Sequence, residues 1–216
     1  MGEGLGLAGP AITCSGAQVR RLREGTDLQD IRLPAAFAAT VYAICDGTRS
    51  ITWAAGDAGA ALRMEGDGTG SLPPGMYRVP TLAGEGPRAP RAILVQGTDT
   101  CERILAALSE PWAEEVRFDW SLSGAGKRLL TLTGALADKG RALRVACDTI
   151  GTVPARVLAF GDSDNDIELF RAAGASVAMG HAAAHLKEMA TILAPEGEPD
   201  GVALVIERLL ATGRLA

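Results

Sequence analysis

The run Gly161-Asp162-Ser163-Asp164-Asn165-Asp166 sets three carboxylates on alternate positions, directly after the apolar run Val157-Leu158-Ala159-Phe160. A continuous apolar run that closes on glycine predicts a buried parallel strand. Ligands of parallel α/β sheets sit at the carboxyl ends of such strands. The aspartates repel one another. A following helix N-terminus favours negative charge and offsets part of that cost; a divalent cation would offset the rest. Hard carboxylate oxygens suit Mg²⁺, which takes one or two carboxylates together with phosphate and water. The plain alternative is capping and turn chemistry, for which Asp and Asn are common. An EF-hand is excluded, because Ile167 stands where its loop needs Gly and Ala173 where it needs Glu.

Lys139, in Asp138-Lys139-Gly140, falls in the first turn of a predicted helix over Asp138–Ile150. The helix dipole opposes a cation there by about 0.3–1 kcal/mol. A lysine set against that cost suits a phosphate; a solvated surface lysine is the alternative. The two histidines, His181 and His185, have i, i+4 spacing that could hold a metal, but HAAAH has no glutamate between them and is not a zincin motif. Cys14, Cys45, Cys101 and Cys147 are far apart with no CxxC, which points to buried or free thiols of a cytoplasmic protein.

The elements that must position these residues form a strand–helix alternation. Strands are expected over Val157–Phe160, Ala175–Met179 and Thr191–Ala194. Helices are expected over Asn165–Ala173, closed by Gly174, and over Ala182–Met189 and Gly201–Leu210. Short links between them predict a parallel α/β sheet. The middle of the chain has another texture. Helices are expected over Pro34–Cys45 and Thr98–Leu108, and strands over Ser50–Trp53, Arg91–Gln96, Val116–Trp120 and Leu129–Leu132. Residues 65–90 are rich in Gly and Pro and predict a loop. The middle therefore predicts an inserted α+β domain over 20–130, with a core remnant over 1–19 and an α/β core over 131–216.

Taken together, these residues resemble the haloacid dehalogenase (HAD) superfamily of aspartate-nucleophile phosphatases, in its Cof-type, sugar-phosphatase-like branch. Lys139-Gly140-Arg141-Ala142-Leu143 resembles the third family motif, and Gly161-Asp162-Ser163-Asp164-Asn165-Asp166-Ile167-Glu168-Leu169-Phe170 the fourth. Ala173 to Gly180 and Asp200-Gly201-Val202 continue the pattern, and Leu7 to Ala17 resembles the segment leading into the branch's cap domain. The resemblance implies a HAD-like Rossmannoid parallel sheet with an α+β cap. It implies a Mg²⁺-dependent phosphatase of small phosphorylated metabolites such as sugar phosphates. Asp162 would ligate Mg²⁺, Asp166 would support that site, and Lys139 and Asn165 would hold the substrate phosphate. Lys139, Asp162 and Asp166 are the implied catalytic residues.

The chain departs from the family at its start. The nucleophile motif Asp-x-Asp-Gly-Thr should precede Gly16-Ala17, yet the residues before it hold no aspartate. Ile44-Cys45-Asp46-Gly47-Thr48 and Glu65-Gly66-Asp67-Gly68-Thr69 are decoys, with Ile44 and Glu65 in the nucleophile's place, and read as turn chemistry. His181 stands where the family usually has Asn. The expectation is a core lacking its N-terminal part and inactive as it stands. Its strand over Val157–Phe160 would lack a neighbour, so the chain would be destabilised or pair with another chain, a second copy included. A non-catalytic protein that binds metal and phosphate, or serves as a partner subunit, is the alternative.

Composition narrows the remaining classes. Lys plus Arg is 21 and Asp plus Glu 26, a net charge of −5 that gives no basic face for nucleic acid. The 47% of apolar residues predicts a packed core. No apolar run approaches the ~18 residues of a membrane span, and Met1-Gly2-Glu3-Gly4 does not open like a signal peptide. Gly4 to Gly9 spells GxGxxG without a preceding strand, and Gly126-Lys127 lacks the flanking residues of a phosphate-binding P-loop.

Overall fold

The structure is a computed structural model that describes residues 9–64, 71–85, 88–122, 127–197 and 200–214. The chain divides into two compact units, Met1–Ala137 and Asp138–Ala216.

The first unit begins with three short strands, β1 (Pro10–Thr13), β2 (Gln18–Arg21) and β3 (Thr26–Asp30), which form an antiparallel sheet in that order. Then come α1 (Ala35–Asp46), β4 (Ile51–Ala55), β5 (Ala60–Arg63), β6 (Met76–Arg78), β7 (Ala92–Gln96), α2 (Thr98–Leu108), β8 (Val116–Leu122) and β9 (Arg128–Gly134). Their strands make a six-stranded sheet of order β6-β5-β4-β7-β9-β8, antiparallel except for the β5–β6 pair. Phe37, Val41 and Cys45 recur at helical spacing on α1 and are fully buried with Ile104 of α2 and Ile93 and Leu130 of the sheet. Phe37 also meets the edges of Trp112 and Phe118, at ring-centroid distances of 5.6 and 5.8 Å.

Arg91, 4% exposed, ties the first sheet to the six-stranded one. It donates to Asp30 at 2.7 Å, Asp27 at 3.3 Å and Asp57 at 3.1 Å, and to the carbonyl of Gly56 at 2.9 Å. Burial pulls the Asp30 carboxyl up, but hydrogen bonds from Arg32 and Arg91 outweigh it and hold Asp30 below the usual carboxylate range.

The second unit contains α3 (Lys139–Thr149), β10 (Leu158–Gly161), α4 (Ile167–Ala172), β11 (Ala175–Ala178), α5 (Ala184–Met189), β12 (Ile192–Leu193) and α6 (Gly201–Thr212). Its strands form a parallel sheet of order β10-β11-β12. Ala159, Phe170, Ala178, Ala182 and Leu186 form its core.

The structure redraws several expected limits. The boundary at 19/20 falls inside β2, and Pro10–Thr13 is paired to that strand, with Ile12 opposite Val19. The boundary at 130/131 falls inside β9, and the units part between Ala137 and Asp138. In both places a hydrogen-bonded ladder crosses the limit that composition suggested. The loop expected over 65–90 contains β6, which gains order by pairing with β5; the decoy at 65–69 lies outside the described residues. Gly174 does not cap α4 in a left-handed conformation. It is needed because a Cβ there would lie 1.9 Å from the carbonyl oxygen of Ala155.

Candidate active site

β10 ends at Gly161, and the chain turns through a single 3-10 turn, Asp164–Asp166, into α4. Asp166 is the pivot of that turn and only 3% exposed. Its Oδ2 accepts from the backbone N–H of Asp162 at 3.0 Å and of Ser163 at 3.2 Å. Together with the Ser163 side chain this closes a capping box over the start of the helical segment. A buried carboxylate is costly unless fully paired. The remaining partner is Lys139, whose Nζ lies 2.5 Å from Asp166 Oδ1.

Two glycines permit this approach. A Cβ on Gly140 would lie 2.3 Å from the carbonyl oxygen of Glu168, so the first turn of α3 contacts α4 only because the residue after Lys139 has no side chain. A Cβ on Gly161 would lie 2.6 Å from Cβ of Asp166. The N-cap of α3 is Asp138, which accepts from the backbone N–H of Arg141 at 2.6 Å. Lys139 Nζ also donates to Asn165 Oδ1 at 2.8 Å. An ammonium has three donors, so one N–H is left without a protein acceptor among the described residues.

Lys139, Asn165 and Asp166, 27 positions apart at most, are thus brought into one cluster. Asp162 stands at its rim with a 52% exposed side chain. Both oxygens of Asp166 are occupied by donors, so it could support a cation only indirectly. Asp162 Oδ1 has no partner among the described residues, and it is the oxygen that can meet a cation. That donor set fits Mg²⁺, which keeps most of its waters and needs one or two carboxylates alongside phosphate. Among the described residues no three His, Cys, Asp or Glu side chains converge to make a closed metal cage.

Ser163 escaped the sequence reading, and so did the partners of the two histidines. Ser163 Oγ donates to Asn165 Oδ1 at 3.1 Å and fixes that amide. His181 Nε2 lies 3.2 Å from Asp162 Oδ2, and His185 Nε2 lies 2.7 Å from Asp164 Oδ1. The histidine spacing was visible in the sequence, but the partners lie across β11, and no local pattern announces such a pairing.

Known proteins resemble parts of this chain. A 5-amino-6-(5-phospho-D-ribitylamino)uracil phosphatase of Bacillus subtilis is 36% identical over 89 residues, 41% of this chain and 31% of that protein. A phosphoglycolate phosphatase of Methanopyrus kandleri is 40% identical over 73 residues, 34% of this chain and 32% of that protein. The chain thus matches about a third of the length of these curated relatives. A solved haloacid dehalogenase-like hydrolase from Bacteroides thetaiotaomicron superposes with a TM-score of 0.72 at 20% identity, covering 94% of this chain and 77% of that one. Its likeness shows that the fold is HAD-like. The family model for haloacid dehalogenase-like hydrolases matches residues 88–206, more than half of the chain, and with the lysine–aspartate cluster at the end of β10 it shows that the chain belongs to that family.

Proposed function

We propose that the chain forms the phosphate- and magnesium-holding part of a phosphoric monoester hydrolase acting on small phosphorylated metabolites such as sugar phosphates. The observation that carries this reading is the Lys139 ammonium, held between Asn165 and Asp166 at 2.8 and 2.5 Å with a donor to spare. Asp166 aims the ammonium, and the third N–H reaches a phosphoryl oxygen. Asn165 presents its NH₂ to the same group while Lys139 and Ser163 hold its oxygen. Asp162 holds Mg²⁺, which when bound neutralises phosphoryl charge as a Lewis acid. Two neighbouring cations and an amide make a site that binds a phosphoryl group more tightly as its charge develops. The two curated relatives described above carry the names of a 5-amino-6-(5-phospho-D-ribitylamino)uracil phosphatase and a phosphoglycolate phosphatase, which supports the substrate class. No helix among the described residues is long and apolar enough to cross a membrane.

Covalent catalysis of the HAD kind needs an aspartate nucleophile, and Asp-x-Asp-Gly-Thr does not occur in these 216 residues. Asp46 is no substitute. Its carboxylate is spent on the backbone N–H groups of Leu82 at 3.0 Å and Ala83 at 3.1 Å and on the Thr81 hydroxyl at 2.5 Å. That observation favours the second reading for the chain alone: it binds magnesium and phosphate without turnover. Titration with inorganic phosphate, with and without Mg²⁺, and an assay with p-nitrophenyl phosphate separate the two. Magnesium-dependent phosphate binding without product release is the expected result. Sustained turnover lost in Asp162→Asn would make the chain itself an enzyme. Absence of both binding and turnover would overturn the site assignment.

A further inference from the structure

We propose that the first unit carries a second small-molecule site, a cavity beside α1 that takes a small primary alkylammonium, held by Glu85, Tyr42 and Tyr77. The inference rests on the first unit alone and is independent of the reading of Lys139. A cavity of about 100 Å³ lies between α1, the β4–β5 hairpin, β6 and the chain that follows β6. Ala54, Ala58, Ala61 and Pro90 give it an aliphatic lining, and Tyr42, Tyr77 and Glu85 bring polar groups to it. Tyr42 is only 7% exposed, yet its hydroxyl has no hydrogen-bond partner among the described residues. A buried hydroxyl left unpaired is costly, and it marks a place where water or a ligand completes the bonding. Burial, and after it the Glu85 carboxylate, holds that phenol well above its ordinary pKa, so it is a neutral hydroxyl near a negative charge.

The charge of the cavity selects the ligand. The Tyr77 hydroxyl donates to Glu85 Oε2 at 3.0 Å, and Glu85 Oε1 has no partner among the described residues. No described cation pairs with that carboxylate, and residues 1–8, 65–70, 86–87, 123–126, 198–199 and 215–216 contain no Lys, Arg or His to supply one. Asp57 and Arg88 also line the cavity, but their charges are matched: Arg32, Arg88 and Arg91 answer Asp27, Asp30 and Asp57. Glu85 is thus the uncompensated charge. An ammonium has three N–H donors and no acceptor, which suits Glu85 Oε1 and the two phenol oxygens. An anion would meet Glu85 with no cation to counter it, and a neutral alcohol brings one donor and no charge. An enclosed apolar cavity of ~150 Å³ takes benzene, so this one takes roughly four or five non-hydrogen atoms, the size of propylammonium.

The test uses propylammonium chloride, with 1-propanol as its uncharged isostere and sodium chloride as the ionic-strength control. The full-length chain is titrated at about pH 7, where the amine is charged, and followed by its amide NMR spectrum. Propylammonium is expected to bind saturably with a Kd of about 1–10 mM. The shifted amides should include Ala58, Ala61 and Tyr77, and 1-propanol should bind at least about tenfold more weakly. Glu85→Gln keeps the shape and removes the charge. It should weaken propylammonium at least about tenfold and leave 1-propanol within about threefold. Tyr42→Phe removes only the unpaired hydroxyl and should weaken propylammonium at least about threefold. Circular dichroism checks that each variant is folded, and if Glu85→Gln is not, Tyr42→Phe decides. No saturable binding below about 100 mM would mean that water alone fills the cavity, and the inference fails. Equal affinity for propylammonium and 1-propanol, or undiminished affinity in a folded variant, likewise overturns it.

Discussion

The two units are built on different kinds of core. In the first, Phe37, Leu82, Ile93, Ile104, Leu130 and Leu132 are all fully buried, and two aromatic edges close on Phe37. In the second, three of the five core residues are alanines, beside Phe170 and Leu186. Its terminal helix α6 leaves Leu204 and Ile206 39 and 40% exposed and Leu210 81% exposed. Burying a large apolar side chain contributes about 1.5–3 kcal/mol, and an alanine supplies far less area. The first unit is therefore held by apolar burial. The second depends on close backbone approaches and on one part-buried lysine–aspartate pair. The proposed site lies in the unit with less apolar stabilisation, as expected where a site needs local freedom. Amide hydrogen exchange should accordingly be faster in β10–β12 than in β4, β7 and β9.

The largest expected effect breaks the apolar side of this comparison. Phe37→Ala should cost about 3–5 kcal/mol in denaturant unfolding and leave exchange protection in α3 and β10 unchanged. Next comes the polar side. Lys139→Met strands the Asp166 carboxylate without its cation. The lysine side chain is 26% exposed, so solvent tempers the loss, which should be about 1–3 kcal/mol. Phosphate binding should disappear in the same variant, whereas Phe37→Ala keeps it.

Acid should act on the first unit through Asp30. Its folded pKa is lowered, so its contribution is complete above the unfolded value of about 3.9 and is lost as pH falls through the folded value below that. A pH titration of stability should show this loss, and Asp30→Asn should remove that part of the acid dependence. The smallest effect is expected at Leu210→Ser, within about 0.5 kcal/mol, because that side chain is already 81% exposed. A larger loss in solution would mean that α6 is covered there.

The same contrast explains what the sequence made legible. The second unit was readable because its strands are mostly apolar and the site residues cluster in two short stretches. Lys139 and Asp166 were assigned to one site by resemblance alone, and their ion pair was not foreseen; nothing in the spacing of 27 residues says that Gly140 lets α3 reach α4. The first unit was harder. β2 and β3 read Gln-Val-Arg-Arg and Thr-Asp-Leu-Gln-Asp, too short and polar for periodicity to reveal. Their order comes from pairing with each other and from arginine–aspartate contacts between distant residues, such as Arg91 with Asp30. β5 hid for a similar reason, being four residues long beside a Gly-rich stretch. Helices α1 and α2 stood out because their apolar positions repeat.

Gly140, Gly161 and Gly174 have a consequence for anyone who would stabilise this protein. All three lie outside the left-handed region, so backbone dihedrals alone nominate them for replacement by alanine, a change that ordinarily stabilises by about 0.4–1 kcal/mol through the unfolded chain. Here the obstacle is occupancy. A methyl group at these positions would meet the carbonyl of Glu168 at 2.3 Å, the Asp166 side chain at 2.6 Å and the carbonyl of Ala155 at 1.9 Å. A thermostabilisation campaign should instead use alanine at Gly9, whose Cβ would meet nothing within 4 Å among the described residues and whose backbone is not left-handed.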